Sequence, residues 1–146
     1  MPLVQEDARQ AVRVVRSRAD EWNVVPDKIG MLGFSAGAVV TVLAAVSPEA
    51  ASRPDYAAPI YCGPLPHIEL PQSAPPLFLL CANDDAMAVG NSLTLHNLWQ
   101  AAERPVELHI YSRGGHGFGM KRQNLPVDSW LERFLDWLRT VQAAGS

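Results

Sequence analysis

Three kinds of side chain in this sequence could together break an acyl bond: a serine hydroxyl, an imidazole and a carboxylate. Ser35 lies in Gly33-Phe34-Ser35-Ala36-Gly37, the acids Asp84 and Asp85 follow Asn83, and His116 lies in Gly114-Gly115-His116-Gly117. A serine hydroxyl is a poor nucleophile at neutral pH. It needs an imidazole to take its proton, and a carboxylate to hold that imidazole in the right tautomer. The G-x-S-x-G pattern supplies the geometry that such a serine requires. The apolar run Ile29 to Phe34 reads as a short strand, Ala36 to Val46 reads as a helix stopped by Pro48, and Ser35 falls on the sharp turn between them. On such a turn the backbone is strained and the hydroxyl projects beyond the sheet edge. Glycines two residues before and two after are expected to avoid collisions with neighbouring backbone. The new helix points its N–H groups at the site, where they favour negative charge. The pattern is short and also fits a plain Gly/Ser turn, so its place between strand and helix carries the reading.

The elements that must position these groups alternate along the chain. Val4, Ala8, Ala11 or Val12, Val15, Ala19 and Trp22 recur at helical spacing and predict a helix over 3–22, with Arg9, Arg13, Arg16 and Asp20 mostly off its stripe. Pro26 and Asp27 turn into a strand at 29–34. The helix at 36–47 is apolar nearly all round and is expected to be deeply buried. Residues 56–61 read as a second strand, weakened by Pro59, which has no N–H to give a ladder. Residues 62–76 read as an irregular, proline-rich crossover. The unbroken apolar run 77–81 predicts a strand buried on both faces. A helix at 91–103 shows Leu95, Leu98, Trp99 and Ala102 on one stripe. A strand at 106–111, a glycine-rich loop at 112–119 and a helix at 127–142 complete the order, the last with Pro126 beside its first turn and Trp130, Leu131, Phe134, Leu138 and Val141 inward. This alternation predicts an α/β fold over residues 1–146 as a single domain, with a mostly parallel sheet of about four strands flanked by helices. The loops after the strands of such a sheet share one edge, where ligands bind. Ser35, the Asp84-Asp85 pair and His116 each follow a strand.

Composition narrows the partners. The 146 residues carry a formal net charge of −3, which argues against a nucleic-acid surface. No apolar run approaches the ~18 residues of a membrane span. The start, Met1-Pro2-Leu3-Val4-Gln5-Glu6-Asp7, lacks the basic region and apolar core of a signal peptide. Cys62 and Cys81 each follow a strand-like run and are expected as buried free thiols; a bridge between them would need neighbouring strand ends. These features set the expectation of a cytoplasmic protein. No His/Cys/Asp cluster has metal-ligand spacing and no phosphate-binding glycine loop is present, so neither a metal nor a cofactor is expected. His109, alternating within a strand, reads as a surface or packing residue.

Ser, Asp and His stand in the chain order of the α/β hydrolases. The sequence resembles the serine esterases of that fold, close to the acetyl-xylan-esterase-like and dienelactone-hydrolase-like group. The segments that carry the resemblance are Gly33 to Gly37; Pro75-Pro76-Leu77-Phe78-Leu79 with Asn83-Asp84-Asp85; Asn91-Ser92-Leu93; and Val106 to Tyr111 with Gly114-Gly115-His116-Gly117-Phe118-Gly119. They span roughly residues 24–140. The resemblance implies a Ser35–His116–Asp85 triad that hydrolyses short-chain acyl esters through an acyl-enzyme. Asp85 is favoured over Asp84 because its spacing from Ala86-Met87-Ala88-Val89 matches the register of the family's acid, although the prolines usual there are absent. Asp84 is then a loop-capping residue. The Ala36 N–H is implied as an oxyanion donor, with Phe34, His67 and Phe118 near the substrate. Dienelactone hydrolase proper uses a cysteine nucleophile, so serine in the elbow fits esterase chemistry better.

The departures from the family also matter. Nothing in residues 1–28 resembles the His-Gly-Gly type loop that gives the second oxyanion donor, and 3–22 match the helix that follows it. The chain therefore looks like the C-terminal half to two-thirds of the fold, a truncated α/β hydrolase. Strand 29–34, central in the complete fold, would become an edge here. That predicts a homo-oligomer, with a neighbour covering the edge or lending a donor. The rival expectation is a decayed hydrolase that serves as a non-catalytic binding or assembly module.

Overall fold

The computed structural model describes residues 2–144. Helix α1 spans Pro2–Ser17, and one further turn, α2, spans Ala19–Trp22. The expected continuous helix over 3–22 thus breaks at Arg18, whose φ of −107° and ψ of 18° leave the helical range. Ala8, Val12 and Ala19 are buried, but Val4 and Trp22 at the ends of the stripe are exposed. The Arg18 guanidinium lies over the Trp22 ring, 5.6 Å from its centroid. Arg16 does more than face solvent. It donates to the carbonyls of Pro26, Ala50, Ala51 and Arg53 and to the Asp55 carboxylate, whose Oδ2 also accepts the Ile29 N–H. One guanidinium therefore ties α1 to the approaches of the first two strands.

Those strands are β1 (Gly30–Phe34) and β2 (Tyr56–Ile60), with helix α3 (Ala36–Ala45) between them. Strand β3 (Leu77–Ala82), helix α4 (Ala86–Ala101), strand β4 (Val106–Tyr111) and helix α5 (Trp130–Ala144) follow. The sheet order is β1-β2-β3-β4 and every pairing is parallel. Phe34 pairs with Ile60, Ile60 with Leu80 and Leu80 with His109. In this register the four C-terminal strand ends fall on one edge.

Pro59 weakens β2 less than expected, although β2 lies inside the sheet. Ala57 and Tyr61 donate their N–H groups to the carbonyls of Pro76 and Leu80, at 3.1 and 2.7 Å. Pro59 sits between them in the same alternation, so one rung is missing and its neighbours hold the ladder. Side chains of β3 alternate between two layers, as its unbroken apolar run requires. Leu77 and Leu79 pack with α3 and α4, while Phe78 and Leu80 pack with α5. Cys62 belongs to the first layer and Cys81 to the second. That is why adjacent strand ends leave two free thiols rather than a bridge.

Two helix starts differ from the sequence expectation. Helix α4 begins at Ala86, not 91, because Asp85 caps it: Oδ1 accepts the Ala88 N–H at 3.2 Å. Helix α5 begins at Trp130, after a single 3₁₀ turn over Pro126–Ser129. No helix among the described residues is long and apolar enough to cross a membrane.

Phe78 is fully buried and touches the rings of His109, Phe134 and Trp137. Phe78→Ala is expected to destabilise the fold by about 3–5 kcal/mol, the usual range for an aromatic removed from a core. Urea unfolding checks this. A change under about 1 kcal/mol would place the ring outside the core that the sheet and α5 share.

Candidate active site

Ser35 adopts φ 55° and ψ −115°, a left-handed backbone that side-chain-bearing residues rarely adopt. Its peptide is pinned on both sides. The Ser35 N–H donates to the Ile60 carbonyl at 3.1 Å, and its own carbonyl accepts from Ala38 and Val39 at 3.0 and 3.3 Å. Gly33 is required by close approach. A Cβ there would lie 2.2 Å from the Gly37 carbonyl oxygen and 2.5 Å from Thr41 Oγ1, so strand and helix cross almost in contact. Gly37 contradicts the matching expectation, because a Cβ on it would meet nothing within 4 Å. Ala36 and Gly37 are both exposed; that flank of the turn is uncovered.

The turn delivers the hydroxyl to the histidine. Ser35 Oγ lies 2.7 Å from His116 Nε2, and His116 Nδ1 lies 2.5 Å from Asp85 Oδ2. Three strand ends, of β1, β3 and β4, thus meet in one line of hydrogen bonds. Asp85 is buried at its residue-level exposure of 8%, and its two oxygens have separate duties: Oδ1 caps α4 and Oδ2 meets the imidazole. Asp84 faces the other way. Its Oδ1 accepts the N–H groups of Gly114 and Gly115 at 3.0 and 2.8 Å. The Gly115 N–H, followed by that of Gly114, holds the Asp84 carboxyl below the usual carboxylate range.

Tyr61, at the end of β2, is a contact that sequence reasoning missed. It takes φ 37°, and its ring meets the His116 ring edge-on with centroids 5.0 Å apart. Its hydroxyl is hydrogen-bonded to the Gly119 backbone, and burial raises its pKa. A tyrosine closing an apolar strand reads as core. The available signal was its position, one residue past a strand on the edge that also carries Ser35.

The structure separates the three residues expected near the substrate. Phe34 is 36% exposed beside Ser35, with its ring 5.7 Å from Tyr61 and 6.0 Å from Trp130. Phe118 is buried and lies edge-on to Tyr61 at 4.7 Å, so it supports that ring from within the core. His67 is not gathered with the others. It lines a hollow with Leu43, Val46, Pro66 and Ile68 to which Ser35, Asp85 and His116 contribute nothing. His109 pairs with Glu107 at 2.6 Å and packs on Phe78, in keeping with a packing role.

Ala36 opens α3, and a first-turn N–H has no acceptor within its own helix. It is therefore a donor available to an anion formed beside Ser35. Burial pushes the Cys62 thiol up to about 12. It is neutral near pH 7 and no rival nucleophile. Among the described residues no group of three or more His, Cys, Asp or Glu side chains is placed to hold a metal ion.

The two glycines of the turn make a paired test. Gly33→Ala is expected to lower stability by at least about 1–3 kcal/mol, the range for overpacking, because the methyl would displace backbone. Gly37→Ala is expected to change it by less than about 1 kcal/mol. Thermal unfolding of both variants checks this; equal losses would contradict the close approach at Gly33.

Comparison with known proteins places the architecture. No curated relative matches the chain. Among solved structures, the acetyl ester-xyloside bifunctional hydrolase of Caldicellulosiruptor lactoaceticus superposes with a TM-score of 0.84 at 25% identity, over 94% of this chain and 65% of that one. An α/β hydrolase enzyme from a Medee basin deep-sea metagenome library gives 0.85 at 24% identity, over 94% and 64%. A thermophilic esterase from the Planctomycetes species Thermogutta terrifontis, bound to propionate, gives 0.75 at 22%, over 94% and 64%. The fold is that of the α/β hydrolases, and the chain spans about two thirds of the length of these structures. The profile of the dienelactone hydrolase family matches residues 1–142, almost the whole sequence, and the chain belongs to that family.

Proposed function

We propose that this chain is a serine carboxylesterase that acts on short acyl esters, with Ser35, His116 and Asp85 as its catalytic residues and no cofactor. The observation that carries the reading is the unbroken line Ser35 Oγ–His116 Nε2 and His116 Nδ1–Asp85 Oδ2, at 2.7 and 2.5 Å. Ser35 Oγ attacks the ester carbonyl while His116 Nε2 takes the hydroxyl proton. Asp85 keeps the other ring proton on Nδ1 and steadies the imidazolium as it forms. The tetrahedral oxyanion is met by the Ala36 N–H at the start of α3. His116 then passes its proton to the leaving alkoxide, and the acyl group stays on Ser35. Water, deprotonated by the same imidazole, releases the acid and restores the serine.

The short-acyl preference is supported by two structural relatives: one is described as an acetyl ester hydrolase and another was solved with propionate. The exposed Phe34 ring beside Ser35 would pack the acyl or alcohol group. Two buried, unpaired thiols fit a reducing compartment such as the cytoplasm.

A second reading, a hydrolase-like module that binds without turnover, is favoured by the uncovered flank of the turn at Ala36 and Gly37. One assay separates the two. The wild type should hydrolyse p-nitrophenyl acetate. Ser35→Ala and His116→Ala should each remove most of that activity, and the double variant should be little worse. Acetyl or butyryl esters should exceed decanoyl esters at least ~10-fold in kcat/KM. Wild-type activity no higher than that of Ser35→Ala would establish the non-catalytic reading.

We also propose a second copy of the chain at β1. The Ile29 carbonyl and the Ser35 N–H face β2, so by alternation Gly30, Leu32 and Phe34 turn their N–H and C=O groups outward. Leu32 is 38% exposed there, and a hollow of about 310 Å³ runs between the edge and α5, past Met31, Leu32 and Leu138. Such an edge, without Pro or a bulge, invites another strand. A two-fold related β1 would meet those groups, and its neighbourhood could bring a second N–H toward the oxyanion. Sedimentation velocity at micromolar concentration should show a dimer or a tetramer of dimers. A monomer with full esterase activity would reject both the oligomer and the borrowed donor.

A further inference from the structure

The dipeptide Asp84-Asp85 presents two carboxylates at the end of β3, and they reach the same residue by different routes. Asp85 takes the His116 ring. Asp84 takes the backbone just before it: Oδ1 accepts from Gly114 at 3.0 Å and Gly115 at 2.8 Å, and Oδ2 lies 3.3 Å from the Gly114 N–H. Gln123 Nε2 donates to the Gly114 carbonyl at 2.9 Å from the far side of the loop. Below, the Asn83 N–H joins the Tyr111 carbonyl at 2.7 Å, locking the ends of β3 and β4 together.

We infer that Asp84 is a positioning residue for the proposed esterase reaction, clamping the Gly114-Gly115 backbone so that His116 stands between Asp85 and Ser35. The inference rests on the triad reading of Ser35, His116 and Asp85. Its physical basis is that the imidazole is not walled in. The His116 side chain is 38% exposed, and among the described residues the only aromatic ring against it is that of Tyr61. Three of the four residues from Gly114 to Gly117 are glycines, a stretch with wide backbone freedom. A carboxylate that takes two consecutive N–H groups removes that freedom where it matters most. Asp84 is exposed, so its removal deletes the clamp without opening a cavity. The lowered pKa of its carboxyl, caused first by the Gly115 N–H, agrees with a charge held by those donors. A general base displaced by about 1 Å can lose on the order of 10²-fold in rate.

The test compares Asp84→Ala and Asp84→Asn with the wild type. Asn keeps the Oδ1 acceptor and loses the charge. For Asp84→Ala, kcat on p-nitrophenyl acetate should fall ~10- to 100-fold with KM within about twofold. The downfield proton resonance of the His116 Nδ1–H···Asp85 bond should broaden or vanish, while the circular dichroism spectrum stays native. Asp84→Asn should recover most of the rate and the resonance. An Asp84→Ala variant with wild-type kcat, a kcat loss with the resonance intact, an Asn variant as impaired as Ala, or an Ala variant that does not fold would each overturn the clamp. If the wild type hydrolyses no ester, the functional reading fails, yet the resonance still decides the clamp. Its loss in Asp84→Ala upholds the clamp and its persistence overturns it.

Discussion

The strained backbone of Ser35 is the constraint around which the rest of the site is arranged. A residue held at φ 55° and ψ −115° costs on the order of 1–3 kcal/mol and persists only where its surroundings over-determine it. Here they do. The Ile60 carbonyl takes its N–H, Ala38 and Val39 take its carbonyl, and Gly33 lets α3 come down onto β1 where any side chain would collide. Helix α3 in turn stays in place because it is apolar on nearly every side and packs against α1, β1 and β2. The strain is thus offset by core packing several residues away, and the hydroxyl gains a fixed direction beyond the sheet.

That direction is useful only because the parallel register brings the other strand ends level with it. Ser35 follows β1, Tyr61 follows β2, Asp84-Asp85 lie just past β3, and the loop after β4 holds His116. Each of the four supplies something different: hydroxyl, aromatic wall, carboxylates, imidazole. Asp85 couples two of these tasks, because the same side chain caps α4 and meets the imidazole. The start of α4 and the Nδ1 side of the His116 ring are therefore held by one residue, and a shift of either would disturb the other.

Much of this is legible in the amino-acid sequence itself. The elbow, the order Ser…Asp…His and the alternation of apolar runs with helical stripes are local patterns, and local patterns report strand and helix periods directly. The family register favours Asp85 over Asp84, and Asp85 is the carboxylate that meets the His116 ring in the structure. The misses arise where tertiary context decides. Helix α4 starts at Ala86 rather than 91 because a cap, not an apolar stripe, begins it. Pro59 looked damaging to β2, yet its neighbours Ala57 and Tyr61 keep the ladder. Arg16 lies off the apolar stripe of its helix, and that position does not reveal that it ties α1 to Pro26, Ala51 and Asp55. Phe118 read as a substrate contact and is core, and His67 lies in another hollow. Gly37 fits the elbow pattern, yet a Cβ on it would meet nothing within 4 Å.

The central claim is that Ser35 becomes acylated during turnover. The most direct measurement is intact and peptide mass spectrometry of the protein quenched in acid during reaction with a short activated ester. The account predicts one acyl group, carried on the tryptic peptide that follows Lys28 and contains Ser35. It also predicts that the adduct disappears in Ser35→Ala and accumulates when His116 is replaced after acylation is forced by a more reactive ester. An ester hydrolysed at the same rate with no adduct on that peptide, or an adduct that survives Ser35→Ala, would contradict it.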